Sequence, residues 1–365
     1  MKFTIIRSKF LEGLKSVQNI VSSKGASQIL QNVLLEGDGN EMWLTTTNMD
    51  MTVRSCIECD VQEKGSTTLP VKMLFNTISR VAEGPVYVEI DGEEHATISA
   101  GSATFKMMGL PVADFPLAAQ GDGLNSYTLP QSLFRDMLRK TAFAITPDET
   151  RKTLRGLLMS FKDGKLTMVA TDGRRLAMVE QEVEFPASAE QDIVLPANTV
   201  SELPRSLSSE GDVKIVIDKT QITFDLGKTR ISSKLLDQVY PNYRQVIPSG
   251  MQNTISIDRQ LLLDAIDRTS VMANDQTNAI KFSFDNNQLT VVAATADVGE
   301  ARDIVPIKYA GERIDINFNP TYLMEPLRAI DEDEVRFEIN NGHSPTLLKC
   351  SVPFLYVLMP LRING

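Results

Sequence analysis

Phe3-Thr4-Ile5-Ile6, Ser126-Tyr127-Thr128-Leu129 and Thr254-Ile255-Ser256-Ile257 decide the fold, because they are three versions of one short strand, about a third of the chain apart. Each precedes a segment whose apolar residues recur every three to four positions, the spacing of a helix with one buried face. These segments are residues 8–21, 132–145 and 258–272, with Ser8, Ser132 and Asp258 as expected N-caps. The expected buried stripes consist of Phe10, Leu11, Leu14 and Val17, of Leu133, Met137, Leu138 and Thr141, and of Leu261, Leu262, Ala265 and Ile266.

A hairpin, a second helix and a closing hairpin follow each opening in the same order. The first hairpins turn at Gly, Asp or Asn residues, which favour tight turns between strands. The second helices are predicted over residues 70–81, 196–207 and 320–330, and each begins at a proline, which the first helical turn tolerates. Pro204 and Pro326 fall inside the second and third of these helices and predict a kink or an early end. The closing hairpins pair residues 86–90 with 96–99, 213–217 with 221–225, and 335–339 with 347–351.

This order of elements predicts three tandem domains of one α+β type. Equivalent features lie about 126 residues apart, as Pro70 and Pro196 do. The predicted domains are therefore residues 1–122, 123–249 and 250–365.

Composition is typical of a globular protein, with 42% hydrophobic and 23% charged residues among 365. No run of about 18 apolar residues could cross a bilayer, and Met1-Lys2-Phe3-Thr4 begins as a strand rather than a signal peptide. We therefore expect a cytoplasmic protein. A net charge of −10 argues against indiscriminate coating of DNA, but it leaves open a basic inner surface on an otherwise acidic molecule.

The three cysteines and two histidines indicate neither a disulfide framework nor a metal centre. Cys56 and Cys59 form a C-x-x-C within an alternating strand pattern, without a second pair or a histidine cluster. His95 and His343 stand in polar, turn-like surroundings. We expect inert strand cysteines, solvated histidines, no metal and no cofactor.

Several motifs in order along the whole chain resemble the sliding clamp family, the β subunit of bacterial DNA polymerase III. They are the opening Met1-Lys2-Phe3-Thr4, Leu110-Pro111-Val112-Ala113-Asp114-Phe115-Pro116, Val169-Ala170-Thr171-Asp172-Gly173-Arg174-Arg175-Leu176-Ala177, Tyr240-Pro241-Asn242-Tyr243-Arg244, and Met359-Pro360-Leu361-Arg362. The resemblance implies a head-to-tail homodimer whose six domains form a ring around duplex DNA. In it the sheets lie outside and two helices per domain line the hole, so that the protein confers processivity without catalysis.

The predicted helices supply cations for sequence-independent contacts to phosphate, which need no reading of bases. Any one of them is equally well explained as part of a solvated helix face, and only their clustering on the helices that the family turns inward favours DNA contact. The candidates are Lys9, Lys15, Lys72, Arg80, Arg135, Arg139, Lys140, Arg205, Arg259, Arg268 and Arg328.

Two loops carry further candidates. Lys24 stands where the family commonly has a DNA-contacting arginine, and lysine keeps the charge without the two-pronged guanidinium. Arg151 lies in a loop that approaches DNA in the family, although the neighbouring Asp148 and Glu149 would repel phosphate.

The resemblance also implies a hydrophobic cleft between the second and third domains that binds short peptides of partner proteins. Its matching residues are Leu154, Thr171, Gly173, Arg174, Arg175, Leu176, Pro241, Val246, Asn319, Tyr322, Val357, Leu358, Met359, Pro360, Leu361 and Arg362. Leucine, methionine and valine form an adaptable apolar socket, and Gly173 would let a peptide backbone approach closely. Arg175 and Asn319 are expected to bind polar groups of the peptide, whereas Leu154, Leu176 and Val246 would otherwise be interpreted as plain core.

The partners implied are double-stranded DNA, a second copy of the chain, clamp loader subunits, the α subunit of the replicative polymerase, and other polymerases or repair proteins that carry clamp-binding peptides. The sequence departs from the family's usual residues at Arg174, Gln245 and Leu361, and we expect these differences to alter peptide preference.

The sequence is also compatible with two other classes of function. An enzyme could use Asp172 with Arg174 and Arg175, or a metal on Asp148 and Glu149, although no glycine-rich phosphate loop or nucleophile–base pair accompanies them. Asp172-Gly173 is equally well explained as a tight turn. A repeat scaffold that binds peptides but does not encircle DNA is the third possibility.

The apolar stretch Tyr356-Val357-Leu358-Met359-Pro360-Leu361-Arg362 lies almost at the end of the chain, where residues are usually polar and frayed. It needs a burial partner. It therefore either closes a core or lines a binding site. The repeat makes it the last strand of the third domain, and the resemblance implies that it also forms one wall of the cleft.

Overall fold

The computed structural model describes residues 1–21, 27–116, 125–273, 278–296, 298–351 and 353–362. Within them, one order of strands and helices occurs three times, which confirms the predicted repeat. The first repeat contains β1 (Lys2–Ile6), α1 (Arg7–Val17), β2 (Asn32–Asp38), β3 (Glu41–Thr47), β4 (Met51–Glu58), β5 (Asp60–Glu63), β6 (Gly65–Pro70), α2 (Val71–Arg80), β7 (Pro85–Ile90), β8 (His95–Ala100) and β9 (Ala103–Met108).

The second and third repeats follow the same plan. The second contains β10 (Asn125–Pro130), α3 (Gln131–Thr141), β11 (Gly156–Lys162), β12 (Lys165–Thr171), β13 (Arg175–Glu182), β14 (Gln191–Pro196), α4 (Ala197–Ser206), β15 (Asp212–Ile217), β16 (Gln221–Asp225) and β17 (Thr229–Lys234). The third contains β18 (Asn253–Asp258), α5 (Arg259–Ser270), β19 (Ile280–Asp285), β20 (Gln288–Thr295), β21 (Gly299–Pro306), β22 (Ile314–Phe318), α6 (Pro320–Ala329), β23 (Glu334–Ile339), β24 (Thr346–Lys349) and β25 (Phe354–Leu358).

The opening helices begin one residue earlier than expected in the first two repeats, so Ser8 and Ser132 lie inside α1 and α3 and are not N-caps. The Asp258 cap is confirmed, because its carboxylate accepts a hydrogen bond from the Leu261 N–H at 2.8 Å. In every repeat the first helical N–H donates to a distant carbonyl instead. The three bonds are Arg7 N to Gly84 O, Gln131 N to Gly211 O and Arg259 N to Asp333 O, at 2.8–2.9 Å. A serine cap is unnecessary where another segment accepts these N–H groups.

Most of the predicted stripes are buried, and Phe10, Leu14, Leu138 and Ile266 have no exposed surface. Leu261 is an exception, because it is 47% exposed while Leu262 occupies the core. The second helices match the prediction closely. Helices α4 and α6 both end within three residues of their internal proline, as expected when a ring replaces a helical N–H.

The chain folds as two compact units, each of which contains a sheet shared by two repeats. Unit one comprises Met1–Arg135 and Asn198–Leu235, with sheets β5-β1-β7-β8-β9 and β10-β15-β16-β17-β4-β3-β2-β6. Unit two comprises Asp136–Ala197 and Leu236–Gly365, with sheets β14-β11-β12-β13-β25-β24-β23-β18 and β21-β20-β19-β22. The predicted boundaries near residues 122 and 249 follow the sequence repeat, whereas the compact units divide the second repeat.

Antiparallel pairing joins successive repeats at two places. In unit one, β4 pairs with β17, and Val53 lies opposite Ile231. We call this pairing the first junction. In unit two, β13 pairs with β25, and Leu176 lies opposite Val357. We call this the second junction.

Candidate functional site

The second junction is where the last strand of the chain is held. Beyond β25, the N–H of Met359 donates to the Arg174 carbonyl at 2.9 Å, and the N–H of Leu361 donates to the Asn317 carbonyl at 2.8 Å. The end of the chain therefore bonds to the second repeat through Met359 and to β22 of its own repeat through Leu361. This confirms that it closes the third repeat.

An apolar cluster underlies this junction. Its buried members are Leu158, Val169, Leu176, Leu347 and Val357, and the partly buried residues packed against them are Met178, Tyr240, Tyr243, Ile247, Met251 and Leu355. Leu176 and Val357, both predicted cleft residues, thus lie together in the floor. Leu358 is also buried, at 2% exposure.

Other predicted cleft residues stand at the surface around this floor. Val246 is 54% exposed and Met359 is 44% exposed, which is unusual for large apolar side chains unless they serve an interaction. Gly173, Arg174, Pro241 and Arg362 are exposed, while Leu154, Thr171, Pro360 and Leu361 are partly buried. A buried floor with exposed apolar residues beside it has the chemistry of a peptide-binding groove.

The turn before β13 is held by its own side chains. Asp172 Oδ1 accepts the backbone N–H groups of Arg174 and Arg175 at 2.9 and 3.0 Å. Thr171 Oγ1 accepts the Gly173 N–H at 3.1 Å and donates to the Arg175 carbonyl at 2.6 Å. Gly173 has φ of +83°, a conformation that favours glycine. The structure thus supports the reading of Asp172-Gly173 as a tight turn rather than a catalytic centre.

Arg175 does not present its guanidinium to a peptide, contrary to expectation. The residue is 7% exposed. Its Nε donates to Asp172 Oδ2 at 3.1 Å, its Nη2 donates to the Phe143 carbonyl at 2.6 Å, and its Nη1 pairs with Glu325. The guanidinium also lies 4.2 Å from the ring centre of Tyr322. All three nitrogens are engaged inside the protein.

Asn319 also has a structural task. Its side-chain oxygen accepts the N–H groups of Thr321 and Tyr322 at 2.9 and 3.4 Å and so caps α6. That oxygen is therefore committed to the helix and not to a peptide.

Sequence reasoning missed Phe143, Glu325 and Tyr356, which complete the surroundings of Arg175. Burial raises the pKa of Tyr356 far above its usual value, so the hydroxyl stays protonated and donates to the Tyr322 carbonyl at 2.7 Å. The rings of Phe143 and Tyr356 lie 5.8 Å apart. Only the helical spacing of Glu325, three residues after Tyr322, could have indicated that both face one partner.

The predicted DNA-contacting cations differ in how free they are. Lys15, Lys72, Arg80 and Arg135 are exposed on α1, α2 and α3. Over the described ranges, no carboxylate oxygen lies within 4.0 Å of their charged groups. They are available to phosphate without losing a partner.

A second group of exposed cations is paired with carboxylates. Lys9 pairs with Glu58, Arg139 with Asp136 and Asp331, Arg205 with Glu202, Arg268 with Asp303, and Arg328 with Asp267. Solvated ion pairs are worth about 0–1 kcal/mol, so a phosphate could displace the carboxylate from Lys9, Arg139, Arg268 or Arg328. Glu202 is buried at 4% exposure, so Arg205 would have to bind a phosphate while it keeps this partner.

Two of the candidates do not fit the prediction. Lys140 is 5% exposed, and its ammonium donates to Asp136 Oδ2 at 2.7 Å. Arg259 donates to the carbonyls of Leu327 and Glu332 at 3.1 and 2.8 Å, which holds the end of α6 and the segment after it. A buried or capping cation cannot leave its acceptors without leaving them unsatisfied.

The loop candidates have separate outcomes. Arg151 is 48% exposed in its side chain, donates to the Asp172 carbonyl at 2.8 Å, and lies 3.4 Å from Asp148. Hydrogen bonds from Thr150 lower the pKa of Asp148, so this carboxylate stays charged near the arginine. Lys24 lies outside the described residues.

Cys59, one half of the C-x-x-C pair, is buried at 6% exposure. Burial raises the pKa of the Cys59 thiol to about 12, so the reactive thiolate is not formed at neutral pH. Cys56 and Cys59 are free thiols. No cluster of three potential metal ligands occurs in the ranges that the structure describes. None of the helices there has the length and apolar character to cross a bilayer.

Comparisons with known proteins agree along the whole chain. The DNA polymerase III beta subunit matches by its N-terminal domain over residues 1–119, its central domain over residues 128–242 and its C-terminal domain over residues 244–362. The beta sliding clamps of Chlamydia muridarum and Pseudomonas aeruginosa are 30% and 32% identical to the chain, with full coverage of both sequences in each pair.

Solved structures agree with this match. A sliding clamp of Bartonella birtlesii bound to griselimycin has a TM-score of 0.94 at 32% identity, and one of Pseudomonas aeruginosa bound to griselimycin has 0.95 at 30%. Both comparisons cover all of each chain.

Three α+β modules joined through shared sheets form the fold that the chain has in common with the solved sliding clamps. The chain belongs to the family of the DNA polymerase III beta subunit, the bacterial sliding clamps, whose members are non-catalytic processivity subunits.

Proposed function

We propose that the protein encircles duplex DNA as a homodimeric ring and tethers DNA polymerase III and other replication or repair proteins to it. The single observation that carries this proposal is the threefold repeat, matched in full by the sliding clamp family. A ring that slides needs no contact with bases, which agrees with a surface of lysines and arginines on helices.

Dimerisation through two particular strands follows from the repeat. At both junctions the fourth strand of one repeat, β4 or β13, pairs with the last strand of the next, β17 or β25. The corresponding strands without such a partner are β21 of the third repeat and β9 of the first, and both lie at sheet edges. Met108 on β9 and Ile304 on β21 are 72% and 48% exposed. Antiparallel pairing of β21 with β9 of a second copy would cover both edges and close a ring.

The DNA surface proposed for this ring consists of exposed cations on the helices. Lys15, Lys72, Arg80 and Arg135 are its unpaired members, and Lys9, Arg139, Arg268 and Arg328 are its exchangeable ones. Arg205 is 60% exposed in its side chain and would bind while it stays paired with Glu202. Arg151 is a further candidate on a loop. We leave out Lys140 and Arg259 because their charged groups are committed within the protein.

The peptide cleft is proposed at the second junction, over the floor of Leu176 and Val357. An aliphatic or aromatic side chain of a partner would enter the socket beside Val246 and Met359. Clamp loader subunits, the replicative polymerase α subunit and other polymerases are the proposed partners, in the cytoplasm. Griselimycin, the peptide-like ligand of the two solved relatives, is a ready probe for this cleft.

Retention on DNA tests the ring. The protein is loaded onto a circular plasmid by its clamp loader, and half of the sample is then linearised before gel filtration at moderate salt. A ring should stay on circles and slide off free ends. Equal retention on both forms would overturn the proposal and favour a scaffold or a conventional DNA-binding protein.

A further inference from the structure

Arg175 is the point in unit two at which three separate segments meet. Arg175 is the first residue of β13. Its guanidinium donates to Asp172 in the turn before that strand and to the Phe143 carbonyl in the segment after α3. It also reaches α6 through Glu325 and the Tyr322 ring. The turn before β13 contains Gly173 and Arg174, and Tyr322 lies near the start of α6. These are two of the predicted walls of the cleft.

The contacts require an arginine. A guanidinium is planar and has five N–H donors in a fixed fork, and its face can stack on an aromatic ring. Here Nε, Nη1 and Nη2 address three different acceptors while the flat face lies 4.2 Å from the ring centre of Tyr322. A lysine ammonium could keep the charge but could not hold the three acceptors and the ring together.

The floor of the cleft is tied to the same group of residues. Tyr356 of β25 donates its hydroxyl to the Tyr322 carbonyl at 2.7 Å, and its ring lies 5.8 Å from that of Phe143. The terminal strand, α6 and the turn therefore share one buried set of contacts.

We propose that Arg175 is a positioning residue of the peptide cleft, which holds the turn and α6 in the geometry that binds a peptide without touching the peptide itself. This inference rests on the proposed function of the cleft. A preformed cleft loses less conformational freedom when a ligand binds, so affinity should fall if the walls become mobile. The effect should appear even when the substituted residue lies outside the contact with ligand.

The test uses the full chain and griselimycin, titrated by calorimetry. The variants are Arg175→Lys, Glu325→Gln and the double variant. Arg313→Lys is the matched control, because Arg313 is an exposed arginine of unit two that pairs with Asp315 outside the cleft. We expect Arg175→Lys and Glu325→Gln each to weaken binding by about tenfold, because each breaks the same charged hydrogen bond. The double variant should be no weaker than the worse single one, and Arg313→Lys should bind within about twofold of the unmutated chain.

Hydrogen exchange separates positioning from direct contact. Without ligand, exchange should be faster in the turn at residues 171–175 and in α6 for both Arg175→Lys and Glu325→Gln, and unchanged there for Arg313→Lys. Glu325→Gln provides the decisive outcome, since it leaves the arginine in place. If Arg175 were a ligand of the peptide, freeing it from Glu325 would leave the affinity equal or raise it, and that result would overturn the proposal.

Two controls keep the interpretation clear. Light scattering should find a dimer for every variant, which shows that the two copies still assemble when the cleft is weakened. If the unmutated chain did not bind griselimycin, the cleft assignment would fail, and this proposal with it. If the unmutated chain bound but both variants bound equally well, only the role of Arg175 would fail.

Discussion

The two junctions share one backbone frame but differ in their side chains. At the first junction Thr47 and Asn48 hold a turn as Thr171 and Asp172 do at the second. Asn48 Oδ1 accepts the N–H groups of Asp50 and Met51 at 3.1 and 2.8 Å, and Thr47 Oγ1 accepts that of Met49 at 3.2 Å. The N–H of Lys234 donates to the Asp50 carbonyl at 2.8 Å, as that of Met359 does to Arg174.

The side chains at equivalent positions have different chemistry. Met49 takes the place of Gly173, Asp50 that of Arg174, and Met51 that of Arg175. Asp50 and Lys234 form an ion pair at 3.1 Å beside a small cavity of about 100 Å³. The second junction instead has the exposed Met359, an apolar floor and the buried arginine. The backbone arrangement therefore continues a sheet at both junctions, whereas the side chains make only the second junction suitable for an apolar ligand.

Removal of the terminal segment should produce the largest effect. A chain that lacks residues 359–365 loses the backbone bonds from Met359 and Leu361 and the exposed wall of the cleft. We expect griselimycin affinity to fall by more than about a hundredfold, since an apolar anchor loses its socket. Calorimetry measures this, and light scattering should still find a dimer.

The first junction supplies the matched control for that truncation. Asp50→Ala combined with Lys234→Ala removes the ion pair at the equivalent place, and we expect griselimycin affinity to remain within about twofold, because exposed ion pairs contribute little. An equal loss of affinity at both junctions would contradict the assignment of a single cleft.

A methyl group at Gly173 should have the next largest effect. Its φ of +83° disfavours other residues by about 1–2 kcal/mol, and the new Cβ would lie 2.9 Å from Arg151 Nη1. We expect Gly173→Ala to lower the free energy of unfolding by about that amount in urea titration. Griselimycin affinity should also fall by about tenfold, because the added Cβ hinders close approach of a ligand backbone.

Gly227→Ala is the control that separates strain from ligand contact. Gly227 has φ of +85°, and a Cβ there would meet no atom within 4 Å. It should show a similar loss of unfolding free energy with unchanged affinity. If Gly173→Ala behaved in the same way as Gly227→Ala in both measurements, the turn would not be part of the cleft.

A pH-dependent ion pair between the second and third repeats, Arg139 with Asp331, should have a smaller effect. A hydrogen bond from Arg139 lowers the pKa of Asp331, and the pair joins α3 to the segment after α6. A carboxyl group whose pKa is lowered in the fold adds to the free energy of unfolding. This contribution is complete at pH values above the ordinary carboxyl pKa, and it is lost as the pH falls through the lowered pKa. Asp331 is largely exposed, so solvent screening limits the contribution to about 0.5 kcal/mol.

Urea titration of Asp331→Asn at several pH values checks this contribution. The variant should be less stable than the unmutated chain at pH 7, and the difference should shrink between about pH 5 and pH 2.5. Arg139→Gln should give the same pattern, because it breaks the same pair. A difference that did not change with pH would refute the role of the carboxylate. In the first repeat, Lys15 on α1 is the equivalent of Arg139 on α3. It has no carboxylate within 4.0 Å among the described residues.

The sequence predicted those features that depend on neighbours along the chain. The order of the elements, the Asp258 cap and the last strand follow from local spacing and composition, and the structure confirms them. The burial of Arg175 could not be predicted, because Glu325 lies 150 residues away and Phe143 belongs to another segment. The burial of Leu261 was predicted wrongly because three adjacent leucines, residues 261–263, fit two phases of one helix, and only the packing in the fold selects between them.

Relief of strain at Met49 should produce the smallest effect and gives the sharpest test of the shared frame. Met49 has φ of +75°, which is unfavourable for a residue with a Cβ. Met49 is also 54% exposed, so side-chain packing does little to offset this backbone cost. Met49→Gly should raise the free energy of unfolding by about 0.5 kcal/mol, because the gain in backbone sterics is partly offset by the greater freedom of glycine in the unfolded chain. Met49→Leu keeps the Cβ and should show no gain. If both variants had equal stability in urea titration, the turn at the first junction would not impose the left-handed backbone that it shares with Gly173.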